Sequence, residues 1–328
     1  MISRLRIILM SCVLMLVVLP SSSFAIQGVA GTFFQPTNDM KTWDEAKWET
    51  LFDTYHRLGI CEIIVQWVVY EDATDNSGNP TYEYDMSVIE KVLCYAEQYG
   101  MYVTVGGVFL NTFWKQIQAD PEVLKVHLMR IRRGTTKSIE TIAPQLQCSP
   151  AFAGWYISQE IDDRTWLGET HMGILCTFLK DLYSDLNALV PNQPLSVSAF
   201  SNGWASPEKL GLFWRTVADD VGVGRVLFQD GVGVRKLAVE EVPIYLKGLH
   251  EQMMGSCCTV QPVVEIFTQL EGDTFKAEPA PLKRIREQLR QELPYAPDGV
   301  MLFSVAEYMS PVGGEKAEAL LHQVLAGK

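Results

Sequence analysis

The sequence predicts an α/β protein built as a single closed (β/α)8 barrel, and three observations predict it. Eight short apolar runs recur along the chain, each followed by a polar loop and a stretch with helical periodicity. The runs begin 30 to 51 residues apart, the spacing of parallel βαβ units. Each run is close to continuously apolar, which marks strands covered on both faces. Eight such units, with no Gly-rich dinucleotide turn after the first, fit a closed barrel better than an open doubly wound sheet.

The first 25 residues stand apart from this pattern. Arg4 and Arg6 precede an apolar run from Ile7 to Leu19, followed by Pro20, three serines and Ala25. A positive start, an apolar stretch and small residues at the cleavage positions describe a secretory signal peptide cut after Ala25. The run falls short of the roughly 20 residues that span a bilayer. The expectation is therefore an exported protein, periplasmic or extracellular, whose barrel occupies residues 26–328.

The first strand is read at GVAGTFFQP from Gly28 and ends at Gln35. A helix from Trp43 to Leu58 stops at Gly59, and one from Met86 to Tyr99 stops at Gly100, glycine being the expected residue just past a helix end. Between them the second strand, CEIIVQW from Cys61, ends in Gln66 and Trp67. The third begins at Met101, and the long interval after it leaves room for extra helix between Phe113 and Arg133. The fourth, FAGWYISQE from Phe152, ends in Gln159 and Glu160. Strand alternation places Gly154, Tyr156, Ser158 and Glu160 on one face. The fifth begins at Leu195, and the sixth, from Arg225, ends in Gln229 and Asp230. The seventh, from Val260, places Gln261, Val263 and Glu265 on one face. A helix from Leu282 to Leu293, charged on one face, leads to the eighth strand at Gly299, which carries Glu307 and Tyr308.

Composition narrows the function. Arginine and lysine number 27 against 39 acidic residues, a net charge of −12. Loss of Arg4 and Arg6 with the leader makes it 25 − 39 = −14. Such a surface repels nucleic acid and anionic lipid. The chain has no CxxC pair and only scattered histidines, so no metal is expected, and no other cofactor either. Cys61, Cys94, Cys148, Cys176, Cys257 and Cys258 remain after cleavage, as buried thiols or as one or two bridges whose pairing the spacing does not choose. Walker, HExxH and GxSxG motifs are absent.

In such a barrel the chemistry sits at the C-terminal ends of the strands. Glu160 and Glu265 end the fourth and seventh, and two carboxylates facing one cavity are what glycosidic hydrolysis needs. This placement resembles the large superfamily of retaining barrel glycosidases with glutamates on strands four and seven. The resemblance implies Glu160 as acid/base and Glu265 as nucleophile. Glu160 would then hold a proton and Glu265 stay ionised. Gln159 departs from the Asn usual before the acid/base in that superfamily, which makes Asp162 the alternative acid. More broadly, GTFFQP (31–36), IVQW (64–67), FAGWYISQEID (152–162), FQDGVG (228–233) and VEIF (264–267) resemble the family catalogued as domain of unknown function 4434, regarded as glycoside-hydrolase-like.

Trp67, Trp114, Trp166 and Trp204 fall in or after strand ends, where aromatic faces stack on sugar rings. The expected sugar-binding set is Gln35, Gln66, Trp67, Gln159, Asp162, Trp166, Trp204, Gln229, Asp230, Glu307 and Tyr308. The expectation is a monomeric hydrolase of an oligo- or polysaccharide, with neither nucleic acid nor stable membrane insertion after cleavage. A carbohydrate-binding barrel without catalysis is the first alternative. A phosphate-binding barrel enzyme using Gly313 and Gly314 before the last helix is the second; export argues against it.

Overall fold

The computed structural model describes residues 27–71, 86–272 and 275–327. The leader reading falls on residues outside these. Eight parallel strands close into a barrel: β1 (Val29–Phe34), β2 (Glu62–Val65), β3 (Tyr102–Gly106), β4 (Phe152–Asp162), β5 (Leu195–Phe200), β6 (Arg225–Gln229), β7 (Thr259–Glu265) and β8 (Val300–Phe303). Each pairs with its sequence neighbours, and β8 closes on β1 through Thr32 opposite Leu302.

Among the described residues eight helices longer than a single turn pack outside: α1 (Glu45–Leu58), α2 (Ser87–Tyr99), α3 (Pro121–Cys148), α4 (Glu169–Leu189), α5 (Pro207–Val221), α6 (Val242–Met253), α7 (Leu282–Glu292) and α8 (Glu315–Leu325). Local chemistry sets their limits. The Asp44 side chain accepts from Lys47 N–H at the start of α1, and Gly59 ends that helix at φ 78°. Ser206 and Pro207 start α5 in the same way, by a side-chain cap and a pre-set φ. The extra helix expected between Phe113 and Arg133 is a single turn, Phe113–Gln116, followed by α3, which runs on to Cys148. The six cysteines are unbridged. Among the described residues no helix is long and apolar enough to cross a membrane.

The barrel interior is layered, and alternation along β6 and β7 shows why. Arg225, Leu227 and Gln229 share the inward face of one strand, and Gln261, Val263 and Glu265 that of the next. At the N-terminal end Arg225 grips Glu62 through two bonds of 2.6 and 2.7 Å, with Gln261 beside it and Thr104 donating to the same carboxylate. The middle layer is apolar: Phe33, Ile64, Tyr156, Leu227, Val263 and Met301. At the C-terminal end the inward residues turn polar again, which puts Gln66, Glu160, Gln229 and Glu265 at one mouth.

Two short ribbons extend this mouth. Val69–Glu71 pairs with Val108–Leu110, and Phe267–Gln269 pairs with Ala277–Pro279.

Candidate active site

A cleft of about 630 Å³ opens at the C-terminal face. Its floor carries Gln35, Gln66 and Glu160. Gln35 donates its amide to Gln66 at 2.7 Å, and Trp67 donates its indole N–H to the Pro36 carbonyl at 3.0 Å, so this side is rigid. Trp67, Tyr70 and Phe109 pack ring on ring, with centroids 4.9 to 6.1 Å apart, and Trp114 continues that wall. Phe275, Phe303 and Tyr308 form the other wall. Aromatic walls over an amide floor suit a ring with apolar faces and hydroxyl edges.

Glu160 reaches the mouth through a bulge in β4: between Ile157 and Ile161 four residues span what β5 covers in two. Gln229 donates to its Oε1 at 2.9 Å. Burial raises the Glu160 pKa, and the Gln229 bond and the charge of Lys236 oppose the rise.

Glu265 is deeper, only 4% exposed, under the loop that follows β6. Val234 N–H donates to its Oε2 at 3.0 Å, and Gly233 lies against the carboxyl so closely that a Cβ there would sit 2.8 Å from Oε2. Among the described residues no side chain donates to Glu265. Burial, then the charge of Asp230, pushes its pKa up to about 8, and Glu160 adds to the rise. The expectation is that Glu265 stays ionised; burial and the charges of Asp230 and Glu160 work against the anion, and Val234 N–H and one ammonium work for it. That ammonium is Lys236, whose Nζ lies 3.3 Å from the centroid of the Phe200 ring. Its charge acts on Glu160, Glu265, Asp162 and Asp163, and burial lowers its pKa.

Of the other residues expected at the site, Gln35, Gln66, Trp67 and Tyr308 line the cleft, and Gln229 holds Glu160. Six are elsewhere. Gln159 is buried and donates to the Val108 carbonyl, since a side chain next to an inward Glu160 faces outward. Asp162 commits its oxygens to Thr165 N–H and hydroxyl and to Asn202, so it shapes a turn. Trp166 is 0% exposed, inside the helical layer. Trp204 is 69% exposed, with Arg164 over its ring, outside the cleft lining. Asp230 points out of the barrel to α7, where Gln288 donates to it. Glu307 accepts from Ser304 on the turn after β8, and its charge is felt by Tyr55 of α1.

Sequence reading missed Tyr70, Phe109, Phe275, Phe303, Lys236 and Asp163. Fully buried, Asp163 accepts from Ser201 Oγ and from the N–H groups of Asn202, Trp204 and Ala205, and so fixes the loop after β5. The doubled Gly231-Val232-Gly233 was the available signal for the loop over Glu265. At the other candidate, Gly314 starts α8, but Glu315 and Glu318 fill the first turn and would repel an anion. Among the described residues no group of His, Cys, Asp and Glu could hold a metal ion.

A family model described as "Domain of unknown function (DUF4434)" matches residues 29–314. The uncharacterized protein YbcH of Escherichia coli (strain K12) is 29% identical over 269 residues, 79% of this chain and 82% of that protein. Among solved structures, one from Bacteroides thetaiotaomicron VPI-5482, provisionally named an α-L-fucosidase, superposes with a TM-score of 0.71 at 17% identity, over 90% of this chain and 92% of its own. A β-galactosidase from Bacillus circulans sp. alkalophilus gives 0.59 at 10% identity, over 91% of this chain and 55% of that one. Xylanase XynB from Paenibacillus barcinonensis gives 0.52 at 12% identity, over 85% of each chain. At these identities the likeness establishes the fold.

Proposed function

The chain belongs to the DUF4434 family, and we propose that it is an exported glycoside hydrolase that cleaves an oligo- or polysaccharide by a retaining mechanism. The observation that carries this reading is the placement of Glu160 and Glu265 at the C-terminal ends of β4 and β7, with β5 and β6 between them, at one mouth where the charge of Glu160 is felt by Glu265. Neighbouring folds named for fucoside, galactoside and xylan chemistry agree with it.

In this reading Glu160 is the acid/base. It lines the cleft, and its raised pKa keeps a proton for the departing glycosidic oxygen. Glu265 is the nucleophile. A proton on Glu160 removes the repulsion that Glu160 otherwise adds, and Lys236 and Val234 N–H favour the anion. Trp67 and Tyr308 stack on or flank the sugar, and Gln35 and Gln66 bond its hydroxyls. The deep burial of Glu265 favours a second reading, a barrel that binds glycans without cleaving them.

The test begins with product release from a panel of bacterial exopolysaccharides and plant glycans. Glu265→Ala should then lose several orders of magnitude in turnover. Azide should restore the rate and give a product of inverted configuration. Glu160→Ala should hurt substrates with poor leaving groups most, and azide should give a product of retained configuration. Near-native turnover by both variants sinks the mechanism. Binding without cleavage by the wild type selects the second reading.

A further inference from the structure

Helix α7 presents an unusual face to the barrel. A helix covering a parallel strand normally buries an apolar stripe. Here Arg284, Gln288 and Glu292 follow one another at intervals of four, one above the next, and both Gln288 and Glu292 are fully buried. All three work behind β7. Arg284 donates to the carbonyls of Glu265 and Phe267 and to Thr268 Oγ1, and Gln288 donates to the Glu265 carbonyl at 3.2 Å and to Asp230. Asp230 in turn accepts from the N–H groups of Glu265 and Val232. Both peptide groups of Glu265 and the start of the loop over its carboxyl are thus tied to one buried network.

Glu292 is the odd member. Neither of its oxygens meets a donor, although both are shut off from solvent. The charged group that acts on it most strongly is the Asp230 carboxyl, itself 0% exposed. Two carboxylates in contact are two acceptors, and an uncompensated buried pair costs several kcal/mol. A single proton turns them into donor and acceptor. The charges that act on the pair are Glu265 from β7 and Arg284 from α7. Only Arg284 favours ionisation, and it is already bonded to carbonyls.

We propose that Asp230 and Glu292 form an acid–carboxylate pair sharing one proton, with Glu292 donating to Asp230, and that this pair positions Glu265 from behind the barrel wall. The positioning role rests on the reading of Glu265 as nucleophile. The shared proton does not. With one proton the pair carries a single negative charge, which the Arg284 guanidinium offsets and to which the Gln288 amide donates a hydrogen bond. Loss of that proton would set a second charge behind Glu265 and loosen the strand end.

Two arms test this on the full chain. The first needs no substrate. Infrared difference spectra at pH 7 between the wild type and Glu292→Gln should show one protonated-carboxyl band lost in the variant, because glutamine replaces the acid as donor. An unchanged band count means that Glu292 is ionised and overturns the pair. The second arm separates positioning from plain structure. Glu292→Met removes the donor and should lower kcat up to about 100-fold with KM little changed, as misplacing a reacting group does. Glu292→Gln should restore it to near the wild-type value. Should Glu292→Met prove unstable, the pH profile of Glu292→Gln takes its place, and it should extend further into the alkaline range than that of the wild type. Equal kcat in both variants, or equal alkaline limbs, overturns the positioning role. If the wild type cleaves no glycan, the nucleophile reading fails while the infrared arm still decides the pair.

Discussion

The sharpest constraint at single-residue scale is Gly233. Any Cβ there would stand 2.7 Å from the Phe267 carbonyl and 2.8 Å from Glu265 Oε2, closer than carbon tolerates. Gly233→Ala is expected to fold with turnover reduced up to about 100-fold, because the loop or the carboxyl must give way. Gly231 makes the contrast. Its φ of 66° is left-handed, so Gly231→Ala should cost about 1–2 kcal/mol of stability through the backbone. Steady-state kinetics and denaturant midpoints on the two variants check both, and full activity in Gly233→Ala would show that the loop does not seat Glu265. The tryptophans divide the same way. Trp166→Ala should cost about 3–5 kcal/mol as a large buried ring, whereas Trp204→Ala should lie within about 0.5 kcal/mol of the wild type. A drop in glycan affinity for Trp204→Ala would return that residue to the site.

Elements explain what was readable. The barrel strands are legible because a parallel strand covered on both faces is apolar throughout, and helix ends are legible because Gly59 and Gly100 must be left-handed. Glu265 is legible because β7 alternates without interruption. Glu160 lines the cleft although the β4 bulge breaks strict alternation, and the same local geometry sends Gln159 and Asp162 to other partners. Trp166 looked functional from its position after a strand, but position does not report which way a ring turns. The charged face of the helix before Pro294 was visible, yet nothing in its spacing told whether Arg284, Gln288 and Glu292 faced water or the barrel. At the opposite end, β2 and β6 meet through Glu62 and Arg225. Arg225→Met should destabilise the protein by about 1–3 kcal/mol, since it leaves a half-buried carboxylate without its cation, whereas Glu62→Gln combined with Arg225→Met should recover much of the loss. A double-mutant cycle by chemical denaturation measures it, and additive effects would mean that the plug is not an ion pair in energetic terms.

At the scale of the whole molecule, the carboxyls divide into two sets that set the pH range of stability. Burial alone would raise the Glu62 pKa, but Arg225 overrides it and holds the group below its ordinary value, and Arg132 does the same for Asp185. Such groups stabilise the fold above their unfolded pKa and lose that contribution as pH falls through the lower folded value. The mouth and the wall behind it behave in the opposite sense. Burial raises Glu160, Asp230 and Glu292, and pushes Glu307 to about 7 and Glu265 to about 8. The unfolded chain ionises these groups near pH 4.5, so it binds fewer protons than the fold from there up to the folded values. Each such group therefore costs stability as pH rises from its unfolded value towards its raised folded one, with a slope approaching about 1.4 kcal/mol per pH unit where it is protonated only in the fold. Stability should peak near pH 5 and fall steadily towards pH 8, the reverse of a protein whose carboxylates are mostly paired at its surface. Thermal unfolding across pH 4–9 reads this directly. Glu307→Gln lies off the cleft and should flatten the curve below about pH 7. Glu265→Gln should extend the flattening to about pH 8. A wild-type Tm that is constant or rises between pH 5 and 8 would mean that these carboxyls ionise without strain. The mouth would then be far wetter than its geometry implies, and Glu160 would have no proton to give.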